Sequence, residues 1–247
     1  MRFPRPIEAF VAALTLALGA AACSAVPAGD EPAGPKPDVG FFSTLPIYWG
    51  EGDMAAILDG SNHSDWVRDL IEQRFDIEPL DTVEPDAIDG LDRIIMAQPR
   101  PLAPSENVAL DNWVRAGGRL LIFADPLLTR HSDFALGDRR RPQDVVLLSP
   151  ILTRWGLELR FDDAQPSEER LISAFGNQYP VNLAGQFVAT GDGKCTISEA
   201  GLFAWCSVGN GRVTLMADAA ILDSEETAAT SAPRQVLLAT LIGDALD

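Results

Sequence analysis

Residues 91–126 constrain the fold of this chain more than any other stretch. A short apolar run, an amphipathic segment, a glycine pair and a second apolar run follow one another without interruption. Arg93-Ile94-Ile95-Met96-Ala97 is short and continuously apolar, as a strand buried on both faces of a parallel sheet requires. Gln98-Pro99-Arg100-Pro101 ends it, because proline cannot donate to a sheet ladder. Pro104 and Glu106 suit a first helical turn, and Ala109, Leu110, Trp113 and Val114 recur behind them at helical spacing. Ser105, Glu106, Asp111, Asn112 and Arg115 fall largely on the opposite face, expected to be wet. Gly117 and Gly118 stop the helix, since glycine accepts the left-handed cap conformation. Leu120-Leu121-Ile122-Phe123-Ala124 is then a second buried strand, broken by Asp125-Pro126. The unit is a strand-helix-strand crossover, and such crossovers join parallel strands with a right-handed turn.

The flanking segments extend this frame. Residues 39–45 read as the first core strand and run into an aromatic and glycine-rich loop, with Ser43, Thr44, Tyr48 and Trp49, up to residue 53. Loops beyond the carboxyl ends of parallel strands form the ligand crevice of such folds, which makes this loop a candidate contact surface. Ser64-Asp65 starts a helix with Trp66, Val67, Leu70 and Ile71 on one stripe, and Ile77 to Leu80 is a short strand. Residues 81–89 are an acidic connector. A long polar loop spans residues 125–144 and holds His131, Arg139, Arg140 and Arg141; its length implies function, mobility or a covering role. A helix is expected over 145–155, ended by Gly156, and an alternating strand over 157–161.

From residue 170 to 208 short β segments alternate with glycines, and the alternation suggests antiparallel strands extending the parallel core. Gly209-Asn210-Gly211 is a strong turn signal before a last strand, 212–217, that ends at Asp218. Residues 233–246 form a closing helix, with Val236, Leu237, Leu241 and Ile242 expected on its buried side. The predicted fold is α/β: a three-layer flavodoxin-like sandwich whose mostly parallel sheet is extended by an antiparallel β meander.

The first 38 residues differ in character. Arg2 and Arg5 precede an apolar stretch from Phe10 to Leu18 that is too short to span a bilayer, and Gly19-Ala20-Ala21-Ala22-Cys23 follows. Residues 1–23 therefore read as an export signal. Small residues directly before a cysteine resemble a bacterial lipoprotein signal, in which Cys23 becomes the lipidated first residue; Ala20 stands where that motif usually has leucine, so a plain secreted protein is the alternative. Residues 24–38, rich in Ala, Pro and Gly, are expected to be a flexible tether, and residues 39–247 one α/β domain with a β-rich insertion at about 170–208. The expected localisation is the periplasm, with membrane attachment through the N-terminal lipid.

Export bears on the other cysteines. Cys195 and Cys206 flank a candidate hairpin centred on Ala200-Gly201 and stand equally far from its turn, so they face each other across the ladder if the turn holds two residues. A structural disulfide is expected, with two buried thiols that never meet as the alternative.

The residues Gln98-Pro99-Arg100-Pro101-Leu102, Glu106, Leu110, Trp113, Gly117-Gly118-Arg119-Leu120-Leu121 and Asp125-Pro126 carry a family resemblance. Their pattern resembles the periplasmic auxiliary domains of uncharacterised and gliding-motility-type ABC transport systems. The resemblance implies a class I glutamine amidotransferase-like fold without amidotransferase chemistry, a fold found also in carbohydrate-associated and intraflagellar-transport proteins. It implies ABC transporter components as partners, with this chain serving as a separate tethered subunit, since no transmembrane helix is apparent after the signal.

The chemistry legible in the residues is sparse. Neither Cys195 nor Cys206 sits on a strand-to-helix elbow, and no Gly-x-Ser-x-Gly is present. His63 and His131 belong to no ligand-spaced cluster, so no metal is expected, and no cofactor is expected either. Gly191-Asp192-Gly193-Lys194 lacks the spacing of a phosphate loop and reads as a hairpin turn. Asp125 and Asp218 both terminate core strands and could act as acid and base, or cap free amides. Arg139, Arg140 and Arg141 could bind an anion or lie solvated. A net charge of −17 disfavours nucleic acid as a partner. The expected function is a non-catalytic envelope-anchored binding subunit taking a protein partner or a glycan at the strand-end loops. Candidate contacts are Ser43, Thr44, Tyr48, Trp49, Gln98, Asp125, His131, Arg139, Arg140 and Asp218; the alternative is a carbohydrate or peptide hydrolase using Asp125 and Asp218.

Overall fold

Continuous apolar runs dictate where the sheet lies. The computed structural model describes residues 34–51, 65–223 and 228–247. In it β1 (Asp38–Ser43), β2 (Asp76–Pro79), β3 (Arg93–Ala97) and β4 (Arg119–Phe123) are joined by α1 (Trp66–Glu72), α2 (Pro85–Ile88) and α3 (Pro104–Ala116). Then come α4 (Ser149–Arg154), β5 (Leu157–Arg160), β6 (Arg170–Ala174), β7 (Asn177–Val181), β8 (Gln186–Ala189), β9 (Cys195–Ile197), β10 (Phe203–Val208), β11 (Gly211–Met216) and α5 (Ala228–Leu246). The main sheet has seven strands in the order β2-β1-β3-β4-β11-β10-β9. Its first five are parallel, in the order typical of flavodoxin-like folds, and β10 and β9 add antiparallel to that core. Helices α1 and α5 pack together on one side of the sheet and α2, α3 and α4 on the other, giving three layers. The α/β sandwich with a mostly parallel sheet and an antiparallel extension is thus as the residue pattern predicts.

The opening unit is formed as expected. Ile94, Ile95 and Met96, and their register partners Leu120, Leu121 and Ile122, are all at most 1% exposed. Gly117 leaves α3 at φ 133°, and a Cβ on Gly118 would lie 2.5 Å from the Trp113 ring, so that position excludes any side chain. The Trp113 indole donates to the Leu91 carbonyl at 2.8 Å and ties the helix to the start of β3.

The structure departs from the residue pattern at five places. Glu106 and Asp111 are buried, not wet, because Arg100 pairs with Glu106, and Arg115 together with Arg154 from the end of α4 pairs with Asp111. The helix expected over 145–155 shrinks to α4, since Val146 donates to the Asp125 carbonyl and Leu128 to that of Asp144, holding residues 144–146 as a strap; Val145 and Leu147 are exposed. Val236 faces solvent, and Leu238 with Leu241, Ile242 and Ala245 makes the buried stripe of α5. Within the β-rich region only β9 and β10 extend the core, while β5 with β8 and β6 with β7 form two separate two-stranded sheets. Residues 191–194 therefore link two sheets and are not a hairpin turn.

Cys195 and Cys206 are register partners on β9 and β10 and form a disulfide, with Cα atoms 4.0 Å apart. The ladder continues to the Ser198 amide, which donates to the Phe203 carbonyl at 2.9 Å, so the loop is longer than two residues and the equal spacing still brings the cysteines together. Reduction, or the double substitution Cys195→Ser and Cys206→Ser, is expected to cost about 2–3 kcal/mol of stability, since a short closed loop is released in the unfolded chain. A urea midpoint that stays put in reductant, with both thiols titrating as free, would contradict this.

Candidate functional site

The carboxyl ends of β1, β3, β4 and β11 are where a fold of this order places ligands. Here they carry Thr44, Gln98, Asp125 and Asp218, each one or two residues past its strand. The Thr44 hydroxyl donates to the Gln98 carbonyl and accepts from the Gln143 amide at 3.0 Å. The Gln98 side chain donates to the carbonyls of Asp125 and Gln143 at 3.0 and 2.8 Å and accepts from the Asp125 amide at 2.9 Å. Gln98 itself is fully buried at φ 45°, a conformation costly for a side-chain-bearing residue that these four bonds hold in place. The loop 125–144 thus covers the sheet: its end is stitched to Thr44 and Gln98, and Arg130 reaches the Leu222 carbonyl at 3.2 Å and Asp65 at 3.5 Å.

Asp125 and Asp218 come together under this cover, 1% and 0% exposed. The Asp125 carboxylate accepts from the amides of Leu127 at 2.9 Å and Ala219 at 3.3 Å. Asp218 accepts from Ala220 at 2.6 Å and Asn182 at 3.0 Å. Burial pushes Asp125 up to about 7, against the pull of its two amide donors. Burial and then the neighbouring Asp125 charge push Asp218 well above the usual carboxylate range, with its amide donors and Arg170 opposing. Two carboxyl groups so placed resist being ionised together, because two like charges out of water repel. Both carboxyl groups are buried and cap backbone amides, which is the capping arrangement and not one of opposed acids lining an open cleft.

The remaining candidates are dispersed. Ser43 closes its own turn, accepting from the Leu45 amide at 2.9 Å. Tyr48 is half-buried with the Arg68 guanidinium 4.4 Å from its ring centre, and Trp49 packs edge-on against it. His131 and Arg139 are exposed, and Arg139 has no ion pair among the described residues. Arg140 is claimed by Asp138 at 2.8 Å and by the Phe134 ring at 4.2 Å. Cys23 and His63 lie outside the described residues. Among the described residues no group of three or more His, Cys, Asp or Glu side chains could hold a metal ion, and no helix is long and apolar enough to cross a membrane.

The motif Gln98-Pro-Arg-Pro-Leu and Glu106 is explained by the same geometry. Arg100 grips Glu106 with both terminal nitrogens, at 2.8 and 2.7 Å, and Glu106 also accepts from Thr82 at 2.7 Å, Val83 at 3.3 Å and Ala103 at 2.7 Å. That set of donors, the Arg100 pair first, holds Glu106 down to about 2. A model of the ABC-type uncharacterized transport system family matches residues 36–174, the stretch that contains this motif and the covering loop. The chain belongs to this family. It is therefore an auxiliary domain of an ABC-type transport system, and its signature residues lock the crest of its sheet.

Curated proteins give no match. Among solved structures, the GH42 β-galactosidase Gan42B of G. stearothermophilus is similar at 10% identity and a TM-score of 0.51, over 84% of this chain and 30% of that one. An exo-β-1,4-mannosidase from Opitutaceae bacterium strain TAV5 aligns at 17% identity and a TM-score of 0.48, over 85% of this chain and 36% of that one. A cytoplasmic protein of Salmonella typhimurium LT2 aligns at 10% identity and a TM-score of 0.47, over 74% and 87%. The auxiliary domain spans only about a third of either glycosidase, and the likeness to Gan42B concerns the fold alone.

Sequence reasoning missed a second cluster, at the amino ends of the parallel strands. Asp111 on α3 is fully buried and accepts from Arg115, from Arg154 at the end of α4 and from the Trp155 indole. Only the four-residue spacing of Asp111 and Arg115 was visible in the sequence; Arg154 and Trp155 are brought by the fold.

Proposed function

We propose that this protein is a non-catalytic, exported binding subunit of its ABC-type transport system. A lipid on Cys23 holds it at the envelope membrane, residues 24–38 serve as tether, and the loops over the strand ends grip a protein component of the system. One observation carries the proposal: Asp125 and Asp218 are sealed, whereas the loops beside them present Trp49 at 65% exposure and Leu136 at 83%. Those loops are tied together, the Asp133 amide donating to Glu51 at 2.7 Å, so the apolar side chains stand on one braced surface. Large apolar groups on such a surface suit a protein contact. The finer kinship, a class I glutamine amidotransferase-like scaffold shared with gliding-motility systems, is part of the same proposal. It is supported by the parallel strand order and by a disulfide that occupies both cysteines of the domain. The exposed Trp49 ring would also stack on a sugar, which keeps a glycan as the second reading.

Crosslinking of the full chain in envelope fractions, followed by affinity recovery, tests the proposal. The expected result is capture of a transporter component, weakened in a Trp49→Ala/Leu136→Asp variant that folds normally, and release of Cys23→Ser into the soluble fraction. Recovery of no such component overturns it, and capture of glycan alone would replace the protein partner by a sugar.

A further inference from the structure

At the edge of the sheet opposite the covering loop, α3 ends at Ala116, α4 at Arg154, and the turn at Gly209 lies beside Arg115. These elements enclose a hollow of about 320 Å³ whose wall includes Arg115, Arg154, Trp155, Lys194 and Ser207. Two further hollows, along α4 and along residues 190–193, also border on Arg154. We propose that this hollow is a binding site for a phosphate-type dianion, whether free or carried on a small molecule, held by Arg115, Arg154 and Lys194.

The arrangement of the two guanidinium groups carries the proposal. Both bond Asp111 through the inner Nε alone, and to the same carboxylate oxygen, Oδ2; the distance for Arg115 is 2.9 Å. The other Asp111 oxygen takes the Trp155 indole at 3.0 Å. One fully buried carboxylate therefore fixes the orientation of two half-exposed arginines while their terminal nitrogens stay unpaired among the described residues. A planar fork with free terminal N–H groups is the donor pattern that matches a tetrahedral oxyanion. Lys194 is exposed and its ammonium has no partner among the described residues. Three cations against one buried carboxylate leave a local charge of about +2, which matches a dianion better than a carboxylate.

The walls are rigid. The disulfide joins Cys195 and Cys206, so it staples the neighbours Lys194 and Ser207, and the Ser207 amide donates to the Lys194 carbonyl at 2.9 Å. A Cβ on Gly193 would fall 2.0 Å from the Trp155 carbonyl, so that loop approaches closely only because it carries glycine. Of the acids near by, Glu158 is paired with Arg160 at 3.1 Å, and Asp192 faces the adjoining hollow. On a chain of net charge −17 a cationic pocket stands against the general field, so anion binding here would be local and not a diffuse surface effect.

Calorimetric titration of the full chain with inorganic phosphate at low ionic strength tests this, with acetate as the monoanionic control. Saturable phosphate binding is expected, displaced by sulfate and weak for acetate. Lys194→Gln, an exposed position, should weaken it about tenfold, and Arg115→Gln with Arg154→Gln should abolish it, each lost charged hydrogen bond counting about a factor of ten. Arg139→Gln, on the remote covering loop, should leave it unchanged. Circular dichroism establishes that each variant is folded. Absence of saturable phosphate binding overturns the proposal, as does equal binding by Lys194→Gln and the wild type, or loss of binding in Arg139→Gln. Acetate binding as tightly as phosphate would also overturn the dianion assignment.

Discussion

Raising the pH from about 4 to above 7 is expected to destabilise this protein by several kcal/mol, through Asp125 and Asp218. The sign follows from the direction of the shifts. Asp125 goes from an ordinary 3.8 up to about 7 in the folded chain, and Asp218 is raised as well. Between those values the folded state holds a proton that the unfolded state has released, so stability is full below the unfolded value and is lost as pH climbs through the folded one. At about 1.4 kcal/mol per pH unit, Asp125 alone accounts for roughly 4 kcal/mol across that window. In Asp218→Asn the second charge is gone and the amide can donate to Asp125, while one of the N–H groups of Asn182 and Ala220 loses its acceptor. The variant should therefore be less stable than wild type at pH 4.5 and show a shallower loss by pH 8, because the share of Asp218 is gone while burial still raises Asp125. Urea unfolding at the two pH values checks this, and an unchanged slope in Asp218→Asn would sink it.

Glu106→Ala should cost about 3 kcal/mol, because it removes the acceptor for the Arg100 fork and for the amides of Val83 and Ala103. Here the pH sign is opposite. Glu106 is held down to about 2 from 4.5, so its contribution is present above 4.5 and is lost as pH falls toward 2. The two sites thus act on opposite sides of the stability curve, Glu106 on the acid side and the Asp125 and Asp218 pair on the alkaline side. Glu106→Ala should flatten the acid side of that curve and leave the alkaline side alone. Equal acid slopes in thermal melts of variant and wild type would refute the assignment.

Both sites use residues that are conspicuous in the sequence for other reasons. Glu106 and Gln98 belong to the motif that carries the family resemblance, and Asp125 and Asp218 stand out because they end core strands. Their capping role was one of two readings, and the backbone amides of Leu127, Ala219, Ala220 and Asn182 decide for it. The length of the covering loop implies function, mobility or a covering role, and the Gln98 and Thr44 bonds make it a cover. Helical periodicity assigns the polar Glu106 and Asp111 outward, whereas Arg100 and Arg154 approach from other segments and make their burial tolerable.

The features legible in the residue pattern are local: apolar runs as strands, the α3 stripe, the glycine stop before β4, and the equal spacing that pairs Cys195 with Cys206. These depend on period, on backbone freedom and on ladder register, all of which are properties of neighbouring residues. Which acids are sealed, which strands leave the main sheet, and that Arg115, Arg154 and Lys194 line one hollow emerge only from the folded arrangement. Those outcomes depend on partners tens of residues away, and a single chain pattern carries no record of which distant groups will meet once the core has closed.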